Sequence, residues 1–294
     1  MQSQFSFKVF ALVLGLFSIA AQAKIIKEER SLYRNILVED TKDIRCLKFS
    51  VKRKKSSQSC INKKQPQLVV FEYTKYALSS LVFNAKPENV LIIGLGGGTL
   101  SNILLEMYPQ INIDNVEIDP AVVRVAREYF DFIETDKVKS YTQDGRIFVK
   151  RAKRKNKQYD LIILDAFNGE YIPEHLLTQE FLQETKSLLT DEGILVANTF
   201  SSSDLYHHES ATYHAVFGDF YTIEKGFNRG NRVIIAGKQL ANEQQIAENI
   251  EELEPRLKYY GVGLQKVLAF AERVKAKASD YRVLTDQYSP ANLL

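Results

Sequence analysis

Val90-Leu91-Ile92-Ile93-Gly94-Leu95-Gly96-Gly97-Gly98-Thr99-Leu100 is an apolar run that opens into glycines and closes on a helix-forming stretch. Four consecutive apolar residues bounded by turn formers suit a strand buried on both faces. Glycines at a strand-to-helix turn let the backbone approach a ligand closely, because no Cβ intervenes. A dinucleotide fingerprint places glycine or alanine at the sixth position, so that a pyrophosphate can rest on the helix N-terminus. Here that position is Thr99. The shorter spacing Gly94, Gly96, Gly98 suits a nucleoside with an amino-acid-like tail instead.

Downstream of the loop the chain alternates. Strands are expected over 111–118, 138–142, 159–164, 193–199, 221–224 and 232–236, with helices over 100–108, 121–130 and 178–189. Such alternation argues for a mostly parallel sheet with helices on both faces. Ligands of open α/β sheets bind outside the carboxyl ends of the strands. Glu117 ends the second strand, where a carboxylate can accept both hydrogens of a ribose diol. Asp144-Gly145 ends the third, in reach of an adenine amino group, and Asp165 ends the fourth at Leu161-Ile162-Ile163-Leu164-Asp165. Glycine loop, acid, acid, acid on four successive strand ends is the pattern of a class I methyltransferase-like, Rossmann-like sheet of seven strands. It is expected to bind an S-adenosyl nucleoside.

Before the loop, 68–83 has helical periodicity through Val69, Tyr73, Tyr76, Leu78 and Leu81. Residues 32–38 and 45–49 read as strands of a small β unit. The chain therefore divides into a leader (1–23), a small β domain (24–66), the nucleoside-binding domain (67–240) and an amphipathic helical segment (241–294). In the leader a single Lys8 precedes an uncharged apolar run that ends in Ala21-Gln22-Ala23. That is the layout of a secretory signal peptide, with export to the periplasm or medium expected and an uncleaved N-terminal anchor the other reading. Cys46 and Cys60 are the two cysteines. In an oxidising compartment they suit a bridge closing a hairpin, stabilising by about 3 kcal/mol. Otherwise they are two unrelated thiols.

The 294 residues carry 45% hydrophobic and 26% charged side chains with a net charge of +3, the balance of a globular chain and too little charge to indicate nucleic acid. The basic runs Lys52-Arg53-Lys54-Lys55 and 150–157 read as solvated loops. His207, His208, Glu209 and His214 do not match a zinc-site spacing, so no metal is expected. His175, in the loop after Asp165, is either an auxiliary base or a loop-stabilising hydrogen-bond partner.

Over residues 30–237 the chain resembles the polyamine aminopropyltransferase (spermidine synthase) family, including its exported relatives. The likeness rests on the glycine loop, Val116-Glu117-Ile118-Asp119, Asp144-Gly145, 159–165 and the loop 165–176. It implies transfer of an aminopropyl group from decarboxylated S-adenosylmethionine to a diamine such as putrescine, with Asp165 accepting the proton of the attacking amine. Glu117 would then hold the ribose and Asp144-Gly145 the adenine. Thr99, Asn168 and Tyr76 stand at positions that bind the acceptor in the family. There the family usually has an aspartate after the glycines, a second aspartate three residues past the catalytic one, and a Tyr-His-Glu triplet. Here Thr99, Asn168 and Lys75-Tyr76-Ala77 occupy these places. Two other readings stay open: a methyltransferase using intact S-adenosylmethionine, and a non-catalytic exported nucleoside-binding protein. A homodimer is an assembly the sequence leaves open.

Overall fold

The computed structural model describes residues 23–51, 54–167, 172–225, 230–276 and 280–288. The expected leader and Asn168 lie outside these residues. Four strands come first: β1 (Lys24–Arg30), β2 (Asn35–Thr41), β3 (Ile44–Val51) and β4 (Lys54–Asn62), paired in that order as an antiparallel sheet. Cys46 and Cys60 stand opposite each other in the β3–β4 register, Cα atoms 4.1 Å apart, and form a disulfide. Ile36, Val38, Leu47 and Phe49 make the apolar face of this sheet. They bury it against Ala121, Val122 and Val125 of helix α3 (Pro120–Tyr129) and against Phe130. Truncating one such buried side chain to alanine costs about 2–5 kcal/mol, so this contact fixes the small sheet on the larger domain.

The larger sheet has eight strands: β5 (Asn89–Ile93), β6 (Asn112–Glu117), β7 (Val138–Thr142), β8 (Tyr159–Leu164), β9 (Leu189–Phe200), β10 (Phe220–Ile223), β11 (Asn231–Gly237) and β12 (Ala271–Val274). Their order is β12-β10-β11-β9-β8-β5-β6-β7. Strands β5 to β9 pair parallel, while β11 runs antiparallel between β9 and β10. Successive side chains point to opposite faces, and both faces are covered. Val90 and Ile92 enter one core with Leu161, Ile163, Ile194 and Val196. Leu91 and Ile93 enter the other with Ile162, Leu164, Leu195 and Ala197. A strand apolar at every position is what two-sided burial requires.

The seven expected strands are present, and β12 is an eighth. It comes from the segment read as helical throughout. Helices α7 (Glu243–Tyr259) and α8 (Leu264–Leu268) do form there, but the chain then returns to pair with the edge strand β10. Helix α1 (Glu72–Ser79) begins later than the periodicity suggested. Val69 is held instead by an isolated bridge to Ile61 and by the Tyr260 carbonyl, so tertiary pairing overrides local period. Helix α5 (Gln179–Lys186) ends before Leu189 because β9 starts there.

The basic run at 150–157 is largely helix, not loop, lying mostly in α4 (Gly145–Arg154). Phe148, Val149 and Ala152 bury one face, while Arg151, Lys153 and Arg154 occupy the last turn, where cations complement the helix dipole. Helix α6 (Tyr206–Phe217) was not foreseen either; its histidines and tyrosines blur the apolar stripe. Among the described residues no helix is long and apolar enough to cross a membrane.

Candidate active site

Strand order reverses at β5: β6 and β7 lie on one side of it, β8 and β9 on the other. Such a switch point leaves a crevice at the carboxyl ends of the strands. A cavity of about 240 Å³ occupies that position. Gly94, Gly96, Glu117, Asp144, Gly145 and Asp165 all line it, so six of the ten residues expected at the site converge on one space.

Gly94 is required by close approach. Its φ is +97°, and a Cβ there would overlap the Asp165 carbonyl. Its N–H donates to Val116 at 2.8 Å, while Asp165 N–H donates to Ile93 at 2.8 Å, pinning the ends of β5, β6 and β8 together. Gly98 caps helix α2 (Thr99–Met107) and abuts Phe132 rather than the main cavity.

Glu117 is buried at the end of β6, and its two carboxylate oxygens accept backbone N–H groups from Leu95 (3.1 Å) and Asp119 (3.0 Å). Burial raises its pKa, opposed by these two hydrogen bonds. Each oxygen keeps acceptor capacity toward the cavity, since a carboxylate offers about four acceptor sites. Asp144 caps α4 through the Ile147 N–H at 2.9 Å and meets His175 Nε2 at 2.8 Å. The His175 bond is the main reason its carboxyl lies below the usual range. His175 is therefore a partner of Asp144, tying the loop after β8 to the end of β7.

Asp165 differs from both. Burial pushes its carboxyl up to about 7, with Asn198 and Tyr73 holding it down and the nearby Glu117 charge holding it up. Asn198 Nδ2 donates to Asp165 Oδ1 at 2.8 Å. Asn231 Nδ2 donates in turn to Asn198 Oδ1 at 3.0 Å. The Tyr73 phenol, its own pKa raised well above the ordinary value by burial and by Asp165, donates to the Gln58 carbonyl at 3.3 Å. Phe167 and Phe200, with ring centroids 5.0 Å apart, add apolar wall. The small sheet contributes Arg34, whose guanidinium stacks 4.3 Å over Phe49 and donates to the Phe167 carbonyl at 3.0 Å.

The acceptor residues expected from the sequence fare differently. Tyr76 is 3% exposed inside the apolar core and does not line the cavity. Tyr73, one turn earlier on α1, does. The triplet match points to Tyr76, whereas the tyrosine that reaches the cavity lies one turn toward the start of the helix. Thr99 lines a separate void of about 20 Å³ behind the glycine loop, its hydroxyl 3.3 Å from Ser59 Oγ. Asn168 falls outside the described residues. Arg34, Tyr73, Asn198 and Asn231 were missed. Asn198 had a signal: it ends the apolar run of the fifth strand in the sheet, where the strand-end rule applies again. Of the other histidines, His208 and His214 bond to the carbonyls of Arg282 and Gly218, and His207 stacks on Tyr281.

Comparison with known proteins places this architecture. Residues 72–222 match the model of the spermine/spermidine synthase domain. A polyamine aminopropyltransferase from Vibrio vulnificus is 45% identical over 290 residues, 98% of this chain and 97% of that one. The chain belongs to the spermine/spermidine synthase family. The fold is also similar to the crystal structure of a probable spermidine synthase from Corynebacterium glutamicum (TM-score 0.69, 24% identity, 90% of this chain and 97% of that one). It is similar as well to human methyltransferase-like protein 13 in complex with SAH (TM-score 0.55, 24% identity, 76% and 100%).

Proposed function

We propose that this protein transfers an aminopropyl group from decarboxylated S-adenosylmethionine to an amine of the polyamine class, putrescine being the first acceptor to try. The observation that carries the reading is a buried carboxylate titrating at about 7, Asp165, on the same rim as the nucleoside-type acids Glu117 and Asp144. A protonated amine cannot attack; it must first give up a proton to a base whose pKa lies near the working pH. Asp165 takes that proton. The freed nitrogen lone pair then forms a bond to the aminopropyl carbon attached to sulfur. The carbon–sulfur bond breaks with its electron pair on sulfur, and 5′-methylthioadenosine leaves as a neutral thioether. Glu117 holds the ribose diol and Asp144 the adenine amino group, which fixes the sulfonium before Asp165. Incubation with putrescine and the decarboxylated donor should release methylthioadenosine; a homologous amine accepted in its place would change the acceptor only. No release with any polyamine-class amine would count against the reading.

One observation favours a second reading. Among the described residues the buried Arg34 Nε makes no hydrogen bond and has only the Asp119 carboxylate, at 3.9 Å, as an ion-pair partner, in a side chain that lines the cavity. A guanidinium there suits a carboxylate, which intact S-adenosylmethionine has and its decarboxylated form lacks. S-adenosylhomocysteine formation from the intact donor would mark methyl transfer. Nucleoside binding with neither product would mark a non-catalytic binder.

We also propose export, with cleavage after Ala23. The Cys46–Cys60 disulfide supports it, since such bonds persist in oxidising compartments. N-terminal sequencing of protein from the extracytoplasmic fraction should begin at Lys24; a retained Met1 with all protein in the cytosol would refute it.

A further inference from the structure

Asp165, Asn198 and Asn231 come from three neighbouring strands. Leu164 pairs with Ala197 in the parallel β8–β9 register, so the next residues, Asp165 and Asn198, stand side by side at the rim. Strand β11 runs the other way and begins at that rim. Asn231 pairs with Phe200 and Val233 with Asn198, which makes Asn231 and Asn198 diagonal neighbours on one face. Beside Asn231, the fully buried Arg232 fixes the start of β11. It donates from Nε to Thr222 at 3.0 Å and stacks 4.0 Å over the Tyr206 ring.

A primary amide has one donor end and one acceptor end. Asn198 can present either to Asp165, and the choice decides whether the carboxylate is stabilised or repelled. Asn231 sets the choice in this structure: its Nδ2 donates to Asn198 Oδ1, which leaves the Asn198 NH₂ group to face Asp165. We propose that Asn198 and Asn231 form an amide relay that positions and polarises the catalytic base, with Asn231 acting on Asp165 only through the orientation of Asn198. Both are positioning residues. The relay rests on the reading of Asp165 as base, but it makes a claim about the carboxyl group that holds whichever group is transferred.

The other groups facing Asp165 are few. Tyr73 approaches from α1 and Glu117 from the end of β6, and Arg34, Asp144 and His175 line the same cavity from the small sheet, the end of β7 and the loop after β8. Strand β5 presents Gly94 and no charge. Burial drives the Asp165 carboxyl upward, and a hydrogen-bond donor is the one influence from β9 that opposes it. Losing that donor, or reversing it, therefore moves the titration up.

The test reads the carboxyl directly. Protein labelled with ¹³C at the aspartate carboxyl is titrated by NMR, with the Asp165 signal assigned by its loss in Asp165→Asn. Asn198→Leu should raise the midpoint by about one pH unit, the scale of a lost hydrogen bond to a charged form. Asn231→Leu, which touches no carboxylate, should raise it by roughly half as much, and the Asn198→Leu/Asn231→Leu double variant should move it no further than Asn198→Leu alone. The acidic limb of kcat/KM should shift alongside. If Asn231→Leu does not fold, Asn231→Ser, too short to reach Asn198, replaces it with the same expectation. An unchanged midpoint in the Asn231 variant, or additive shifts in the double variant, overturns the relay. Absence of aminopropyl transfer by the wild type, with these shifts intact, would overturn the functional reading and leave the relay standing.

Discussion

The two ends of the cavity are built in opposite ways. The nucleoside end is assembled from strand termini close in sequence: Gly94 and Gly96 after β5, Glu117 after β6, Asp144 and Gly145 after β7. Each is placed by its own strand, and the acids are secured by backbone N–H groups a few residues away, Asp119 N–H to Glu117 and Ile147 N–H to Asp144. The end around Asp165 is assembled from afar. Arg34 and Phe49 come from the small sheet, Tyr73 from α1, Asn198 from β9 and Asn231 from β11. Their partners lie far off in the chain: Arg34 donates to the Phe167 carbonyl, Tyr73 to the Gln58 carbonyl, and Asn198 and Asn231 bond side chain to side chain. A binding end fixed by backbone can be kept constant in a family, whereas an end fixed by distant side chains can change its chemistry residue by residue.

The largest expected effect separates the two ends. Asp165→Asn should lower kcat by about 10²–10⁴-fold, the range for loss of a general base. Methylthioadenosine affinity measured by calorimetry should stay within a few-fold. Equal losses in both would mean that the ends are not independent. The same substitution carries a stability signature. The Asp165 carboxyl sits at about 7 in the folded protein, against roughly 3.9 in an unfolded chain. The protonated group favours the folded state; that contribution is complete below about pH 4 and is lost as pH rises through about 7. Asp165→Asn is neutral throughout. Its Tm should match the parent's near pH 4, pull ahead between there and 7, and stay ahead above it. A Tm below the parent's at pH 8 would show that the ionised carboxylate is stabilising.

Glu117→Gln tests the other end. Its amide must turn an NH₂ toward either Leu95 N–H or Asp119 N–H, because both oxygens of Glu117 accept backbone donors. Loss of charge-assisted bonds to a ribose diol, about 1.5–3 kcal/mol, should weaken methylthioadenosine binding by about 10–100-fold. At saturating donor the KM for the amine should be unchanged. A raised amine KM would place Glu117 at the acceptor and break the division between the two ends of the cavity.

That division also explains what could be read along the chain. The strand-to-helix turn after Ile93 and the acids after β6, β7 and β8 are local features, so periodicity and the strand-end rule locate them without coordinates. The strands in the middle of the sheet follow for the same reason: two-sided burial writes itself as continuous apolar runs such as Leu161-Ile162-Ile163-Leu164. Strand β12 was illegible because an edge strand of four residues, half of them exposed, has no such run. Helix α4 hid behind its cations. Tyr76 was named by matching the family's triplet along the chain, and only the docking of α1 shows that Tyr73, one turn earlier, is the tyrosine lining the cavity with Asp165. Asn231 carries no local mark at all; it matters because β11 is antiparallel and starts where β8 and β9 end.

The smallest effect concerns His175, which stands between the two ends. It lies in the loop that follows Asp165 yet bonds to Asp144 at the end of β7. Its ring is nearly half exposed, at 45%, so the pair is screened by water and contributes about 0.2–1 kcal/mol. His175→Ala should therefore weaken methylthioadenosine binding only about two- to five-fold. Asp144 keeps its bond to the Ile147 N–H, so α4 remains capped and the adenine contact survives. The Asp144 carboxyl should titrate higher without its largest stabilising partner, which makes the loss greatest toward acidic pH. If His175 were instead an auxiliary base, its removal would depress kcat at saturating donor and amine. A large fall in kcat with unchanged nucleoside affinity would move His175 from the adenine side to the chemistry, and the boundary between the two ends of the cavity would shift with it.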